Sequence, residues 1–331
     1  MRRRLSRAGN HGVAKAIALP ALLFLALVVC AGERTPQIKQ DRDSESFRIS
    51  VDVALVVLPA TVIDRQGGFV SDLGEQNFEV YENGVPQRIR LFKNEDIPVT
   101  VGLVVDHSST MGSKLAEVTA AARTFVRSSN QEDEMFVVNF NERVSLGLPG
   151  AIRFTDSTAE LGDAIAAAPT GGQTALYDAI AKGLDELQAG SRDKKVLIAV
   201  SDGGDNVSAH SLAEVMKLAG QSSAVIYTVG IFEEEDPDRN PGVLKHLAQA
   251  TGGEAFFPGR IGEVLAICER IARDIRHQYT IGYVPINLAH DGAYHAIRVV
   301  ARAKDHDRLS VRTRTGYIAS GEPQRDDKNA Q

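Results

Sequence analysis

The stretch "VGLVVDHSSTMGSK", residues 101–114, decides the fold. With Val99 and Thr100 before it, the chain runs apolar without interruption to Asp106. A continuous apolar run without alternation is the pattern of a strand buried on both faces, as in the middle of a parallel sheet. Three hydroxyl residues, Ser108, Ser109 and Thr110, follow the aspartate at once. Apolar residues at helical spacing then begin in "KLAEVTAAARTFVRSS", residues 114–129. The order is buried strand, polar mouth, helix.

Outward from this unit the same alternation repeats. "EMFVVNF" (134–140) reads as a strand, with "RVSLGLP" (143–149) as its hairpin partner. "TALYDAIAKGLDELQAG" (174–190) is an amphipathic helix with Leu176, Ile180, Leu184 and Leu187 on one face and Gly190 as its stop. "KKVLIAVSD" (194–202) is a second continuous buried strand, and it too ends on an aspartate. Helix (211–221), strand (224–231), helix (242–253), short strand (254–258) and closing helix (261–279) complete the series. Strands alternating with helices predict an α/β domain over residues 98–277, with a mostly parallel central sheet flanked by helices.

The flanks differ. Residues 47–97 carry strand-like runs and the hairpin signal "ENG" at 82–84. Residues 278–319 return to extended segments: "YTIGYVP", "YHAIRVVARA" and "LSVRTRTGY". Both are all-β. One hypothesis joins them into a single sandwich-like unit with the α/β domain as an insertion, and strand pairing between the two flanks would support it. Residues 32–46 read as a polar linker and residues 320–331 as a disordered tail.

Residues 1–31 pair a basic start with the apolar run "AIALPALLFLALVVCAG", too short to favour a full span. The expectation is a signal peptide or N-terminal anchor, with cleavage after Ala31 or lipid attachment at Cys30, and therefore an extracytoplasmic protein in the periplasm, the cell envelope or the medium. Contact with a membrane is expected only through such an anchor or lipid. Without this segment 32 basic residues stand against 43 acidic ones, a net charge of −11, which argues against nucleic acid as a partner. Cys268 would then be left without a disulfide partner and reads as a buried core thiol.

In a parallel α/β sheet ligands gather at the carboxyl ends of the strands. Three segments can meet at that edge: the mouth after the first strand, "TGGQT" (170–174) and "SDGGDN" (201–206). They supply Asp106, Ser108, Thr110, Thr174 and Asp202. This all-oxygen set suits a hard divalent cation, Mg²⁺ first, Ca²⁺ or Mn²⁺ also. Two carboxylates only neutralise such an ion, which leaves it able to accept a carboxylate from outside. Each residue also has a simpler reading. Asp106 and Ser108 would cap the following helix, Thr174 would cap the helix from Ala175, and Asp202 would shape a turn. Asp205 reads as turn or surface, and the acidic loop "EEEDPDRNP" (233–241) as a solvated loop. His107, alone among these residues, is weak support for catalysis.

"DHSST", Thr174 in "GGQTALYDAI" and "VLIAVSDGGDN" resemble the metal-ion-dependent adhesion site of von Willebrand factor type A domains, D-x-S-x-S with a distant threonine and aspartate. Here Thr110 stands at the second serine, keeping the hydroxyl and adding a methyl group. "FEVYENGVPQRI" and "QYTIGYVP" further resemble a group of secreted bacterial type A proteins described from acidobacteria. The resemblance implies a Rossmann-like α/β fold. It also implies Ser108 and Thr110 as direct ligands, Thr174 as direct or water-mediated, and Asp106 and Asp202 acting mainly through water. The function implied is a non-enzymatic adhesion or assembly module whose protein partner presents an Asp or Glu carboxylate to the metal.

Two alternatives stand beside it. One is a Mg²⁺-dependent hydrolase or phosphatase. "DHSST" superficially resembles D-x-D-x-T phosphotransferases, but Ser108 replaces their acid/base aspartate. The other is a metal-free scaffold that keeps only the fold.

Overall fold

The strand that ends at Asp106 sits inside a six-stranded sheet. The computed structural model describes residues 55–232, 239–286, 292–306 and 308–319. The expectations for residues 1–46, for the acidic loop at 233–238 and for the tail at 320–331 fall on residues outside these ranges. No helix among the described residues is long and apolar enough to cross a membrane.

The α/β part contains β5 (Val99–Asp106), β6 (Glu134–Phe140), β7 (Val144–Leu146), β8 (Lys194–Ser201), β9 (Val225–Gly230) and β10 (Ala255–Phe256). Their order in the sheet is β10-β9-β8-β5-β6-β7, parallel except for β7, which returns as a hairpin on β6. The helices are α1 (Leu115–Arg127), α2 (Thr158–Ala166), α3 (Leu176–Gln188), α4 (Leu212–Gln221), α5 (Pro241–Thr251) and α6 (Val264–Arg276). Helix α1 packs against α2 and α6, and α4 packs against α3 and α5. With helices over both faces, all eight residues of β5 are buried.

Local chemistry sets the helix ends. Ser211 and Glu214 form a capping box at the start of α4. Asn240 caps α5, Pro241 opens it, and Gly252 ends it in the left-handed conformation. Helix α2 has no counterpart in the sequence reading. Its stretch is short and rich in small residues, but Ser157 caps it and Leu161, Ala164 and Ile165 are buried.

The flanking strands are β1 (Val56–Ile63), β2 (Phe78–Glu82), β3 (Val85–Gln87), β4 (Ile89–Lys93), β11 (Tyr279–Tyr283), β12 (Tyr294–Ala301), β13 (Ser310–Arg312) and β14 (Gly316–Ile318). They form two four-stranded sheets, β13-β1-β11-β4 and β14-β12-β2-β3. Both sheets mix strands from before and after the α/β domain: β1 pairs antiparallel with β11, and β2 with β12. Inward residues alternate along the strands, as in β12, where Ile297, Val299 and Ala301 are buried. With Leu58, Ala60, Val62, Phe78, Val80, Tyr279, Ile281 and Tyr283 they form one core, distinct from the α/β core.

The β2–β3 hairpin turns at Asn83 and Gly84, both at positive φ (49° and 81°), as the "ENG" signal requires. The sequence reading continues this hairpin through Ile89, Leu91 and Phe92. Instead the chain changes sheets after Gln87, and β4 pairs with β11. The change lets Phe92 meet Phe78 across the core, at a ring separation of 5.4 Å, and lie beside Tyr279 of the neighbouring strand, at 5.8 Å.

Candidate functional site

Asp106 ends β5 at the carboxyl edge of the sheet and is fully buried. Its Oδ1 accepts from the Ser108 amide at 2.8 Å and its Oδ2 from the Ser201 hydroxyl at 2.6 Å. Both donors are neutral. Burial pushes this carboxyl up to about 6; the bonds from Ser108 and Ser201 work against that rise, and the negative charge of Asp202 adds to it.

Asp202 follows β8, the neighbouring strand. Its Oδ2 accepts from the Thr110 hydroxyl at 2.5 Å, and its Oδ1 from the Gly204 amide at 3.1 Å. The Thr110 and Ser108 hydroxyls lie 3.1 Å apart. Asp106, Ser108, Thr110 and Asp202 thus form one cluster of oxygen atoms drawn from two loops.

Thr174 comes from the third loop, which is pinned on two sides. Its amide donates to Asn206 Oδ1 at 2.9 Å, and its carbonyl accepts from the Asn206 amide at 3.0 Å, tying it to the loop that carries Asp202. On the other side the Ala175 amide donates to the Asn141 carbonyl at 2.8 Å, and the Gln173 amide to Glu142 Oε2 at 3.1 Å. Gly172 has a φ of +80°, a left-handed backbone that favours glycine, and a Cβ there would push the Glu142 side chain off the Gln173 amide. No hydrogen bond to the Thr174 hydroxyl is seen among the described residues, although the residue is buried.

Capping does not account for these hydroxyls. The 3-10 helix Ser109–Lys114 follows Ser108, whose side chain makes no capping bond. Helix α3 begins at Leu176 with Ala175 at its cap, so Thr174 is one residue too early for the capping role read from sequence. That role falls to the 203–208 loop instead. Asp205 accepts from the Tyr177 amide at 3.0 Å and from the Ser208 hydroxyl at 2.6 Å, which makes it a structural residue.

His107 points away from the cluster. Its Nε2 lies 3.0 Å from Asn139 Oδ1, and the Asn139 amide nitrogen donates to the Ala164 carbonyl at 2.8 Å. This fixes the amide so that Nε2 carries the proton. Burial lowers the pKa of the ring, which keeps it neutral. Its Nδ1 is buried without a partner among the described residues.

Ser201 and Asn206 escaped the sequence reading as supports, although both lie in the quoted "SDGGDN". Among the described residues no group of three or more His, Cys, Asp or Glu side chains could hold a metal. The donor set at this edge is two carboxylates and three hydroxyls. Such a set has the hardness and charge for a divalent cation, and no ion pair to Asp106 is seen among the described residues.

Residues 101–204 match the family model of the von Willebrand factor type A domain. No curated protein matches the chain. Among solved structures, a von Willebrand factor type A protein from Catenulispora acidiphila is 13% identical, with a TM-score of 0.49, covering 81% of this chain and 74% of its own. The von Willebrand factor domain of the type V pili tip protein Mfa5 from Porphyromonas gingivalis is 15% identical (TM-score 0.46), covering 54% of this chain and 95% of its own. The PilB minor pilin from Streptococcus sanguinis is 12% identical (TM-score 0.45), with coverages of 55% and 62%.

Proposed function

The chain carries a von Willebrand factor type A domain, and we propose that this domain is an extracytoplasmic, metal-dependent protein-binding module for adhesion or assembly. Asp106, Ser108, Thr110, Thr174 and Asp202 would hold a divalent cation, Mg²⁺ before Ca²⁺ or Mn²⁺. When bound, the cation supplies an electron-poor coordination position that an Asp or Glu carboxylate of the protein partner can fill. The basic and apolar N-terminal stretch supports the location outside the cytoplasm.

One observation carries the reading. The Asp106 carboxylate is fully buried, accepts among the described residues from the neutral donors Ser108 and Ser201, and lies in one cluster with a second carboxylate. A buried charge without a partner is costly, and a bound cation removes that cost. The arrangement also favours binding over catalysis. The histidine nearest the serines is committed to Asn139, so no imidazole is positioned to activate them.

The test is thermal unfolding with and without Mg²⁺. Metal that binds the native state raises the wild-type midpoint, by mass action. In Asp106→Ala that rise should vanish; equal rises in both proteins would refute the site.

A further inference from the structure

The geometry points to a second subsite beside the proposed metal site, one that takes a second acidic side chain of the same protein ligand; this rests on the metal reading above. A cavity of about 450 Å³ opens next to the cluster, lined in part by His107, Asn141, Arg143, Ser145, Thr170 and Gly172. Its walls are the other faces of the loops that carry Ser108 and Thr174. The Gly171 amide donates to the His107 carbonyl at 2.8 Å, and the Ser109 amide to the Gly172 carbonyl at 3.3 Å. The Ala175 amide on the Asn141 carbonyl closes the third side. A ligand segment seated at the Ser108–Thr110 edge has this cavity on the other side of the same hydrogen-bonded loops, where its sequence neighbours would reach.

The lining holds one carboxylate, Glu142, and one guanidinium, Arg143, and their placement differs. Glu142 is turned onto the Gln173 amide, the bond that holds the Thr174 loop. Arg143, next to it, is exposed and makes no ion pair among the described residues. With the Glu142 carboxylate held on the Gln173 amide, the Arg143 guanidinium is the charged group in the lining that is left to meet a ligand. Ser145, Thr170 and the Asn141 amide add neutral donors around it. A planar guanidinium matches a carboxylate through two parallel hydrogen bonds, which an ammonium does not reproduce. The partner segment is then a diacidic peptide, with one carboxylate for the metal and one for Arg143.

The test uses the full chain with Mg²⁺ and fluorescent heptapeptides built from Gly and Ser. One carries a single Asp; the others carry two acidic residues separated by one to three positions. By anisotropy the best diacidic peptide should bind on the order of 10-fold more tightly than the single-Asp peptide, as for one charge-assisted hydrogen-bonded pair. Arg143→Gln should erase that factor, while leaving single-Asp binding and the Mg²⁺-induced rise in unfolding midpoint intact. Arg143→Lys should restore only part of it. Equal affinity for both kinds of peptide, or an Arg143→Gln that weakens both alike, overturns the subsite and leaves the metal site standing. Peptide binding that EDTA does not change, or no binding at all, overturns the metal reading and the subsite with it.

Discussion

The two edges of the α/β sheet handle buried carboxylates in opposite ways. At the amino edge, Asp133 just ahead of β6 pairs with Arg276, which also reaches Asp96 at 2.8 Å. Asp274, near the end of α6, pairs with Arg312 and accepts from Thr61 at 2.7 Å and Tyr227 at 2.9 Å. There the charge is matched by a guanidinium built into the fold, and the same contacts hold α6 to the β-sandwich. At the carboxyl edge, Asp106 is as deeply buried, but among the described residues its donors are the neutral groups of Ser108 and Ser201. The amino edge is electrostatically complete without help. On the proposed reading, the positive charge that Asp106 lacks among the described residues comes from a bound cation.

Breaking the complete edge should cost most. Asp274→Ala leaves the Arg312 guanidinium without one of its two carboxylates and strands the Thr61 and Tyr227 hydroxyls. Removing one partner of a buried pair costs about 3–5 kcal/mol. The unfolding midpoint should fall by on the order of 10 °C, with the Mg²⁺ response retained. A drop of only a degree or two would mean that the two edges differ less than the geometry implies.

The incomplete edge should show itself in pH dependence. The Asp106 carboxyl is raised from 3.8 to about 6 in the folded protein. The folded state therefore holds this proton more tightly than the unfolded chain does. The stabilising contribution is fully present below about pH 4 and is lost as pH rises through about 6, amounting to about 3 kcal/mol. Metal-free protein should lose this stability between those limits, beyond what Asp106→Asn loses over the same range. Excess Mg²⁺ should flatten the difference.

Smaller effects follow at the supports. Asn206→Ala removes the acceptor of the Thr174 amide and should cost about 1 kcal/mol, with weaker Mg²⁺ binding by calorimetry. Thr110→Ser removes one methyl group from a half-buried hydroxyl residue. It should change stability by less than about 1 kcal/mol and leave Mg²⁺ affinity within a few-fold; a large gain in affinity would show that the methyl group impairs the site.

Much of this contrast is legible in the sequence because two continuous apolar runs each end on an aspartate. The runs place Asp106 and Asp202 at one edge of a parallel sheet, and hydroxyls beside a carboxylate suggest hard-cation chemistry. What is not legible depends on pairing between distant segments. Ser201 meets Asp106 across 95 positions, and Asn206 holds Thr174 across 32; neither spacing has a local pattern. Helix α2 hides in a stretch of small residues, and the change of sheet after Gln87 is set by where Phe92 finds its aromatic neighbours. The amino-edge pairs join Arg276 to Asp133 and Arg312 to Asp274, and no motif announces them.

The most direct test compares wild type and Asp106→Asn by thermal unfolding near pH 7, first metal-free and then in saturating Mg²⁺. Without metal, Asp106→Asn should be the more stable protein, because it removes a buried charge that has no ion pair among the described residues. With Mg²⁺ at about 1,000 times its dissociation constant, binding adds about 4 kcal/mol to the wild type alone, and the order should reverse. If Asp106→Asn is the less stable protein in both conditions, Asp106 is simply a hydrogen-bond acceptor in a finished network, and the contrast between the two edges fails.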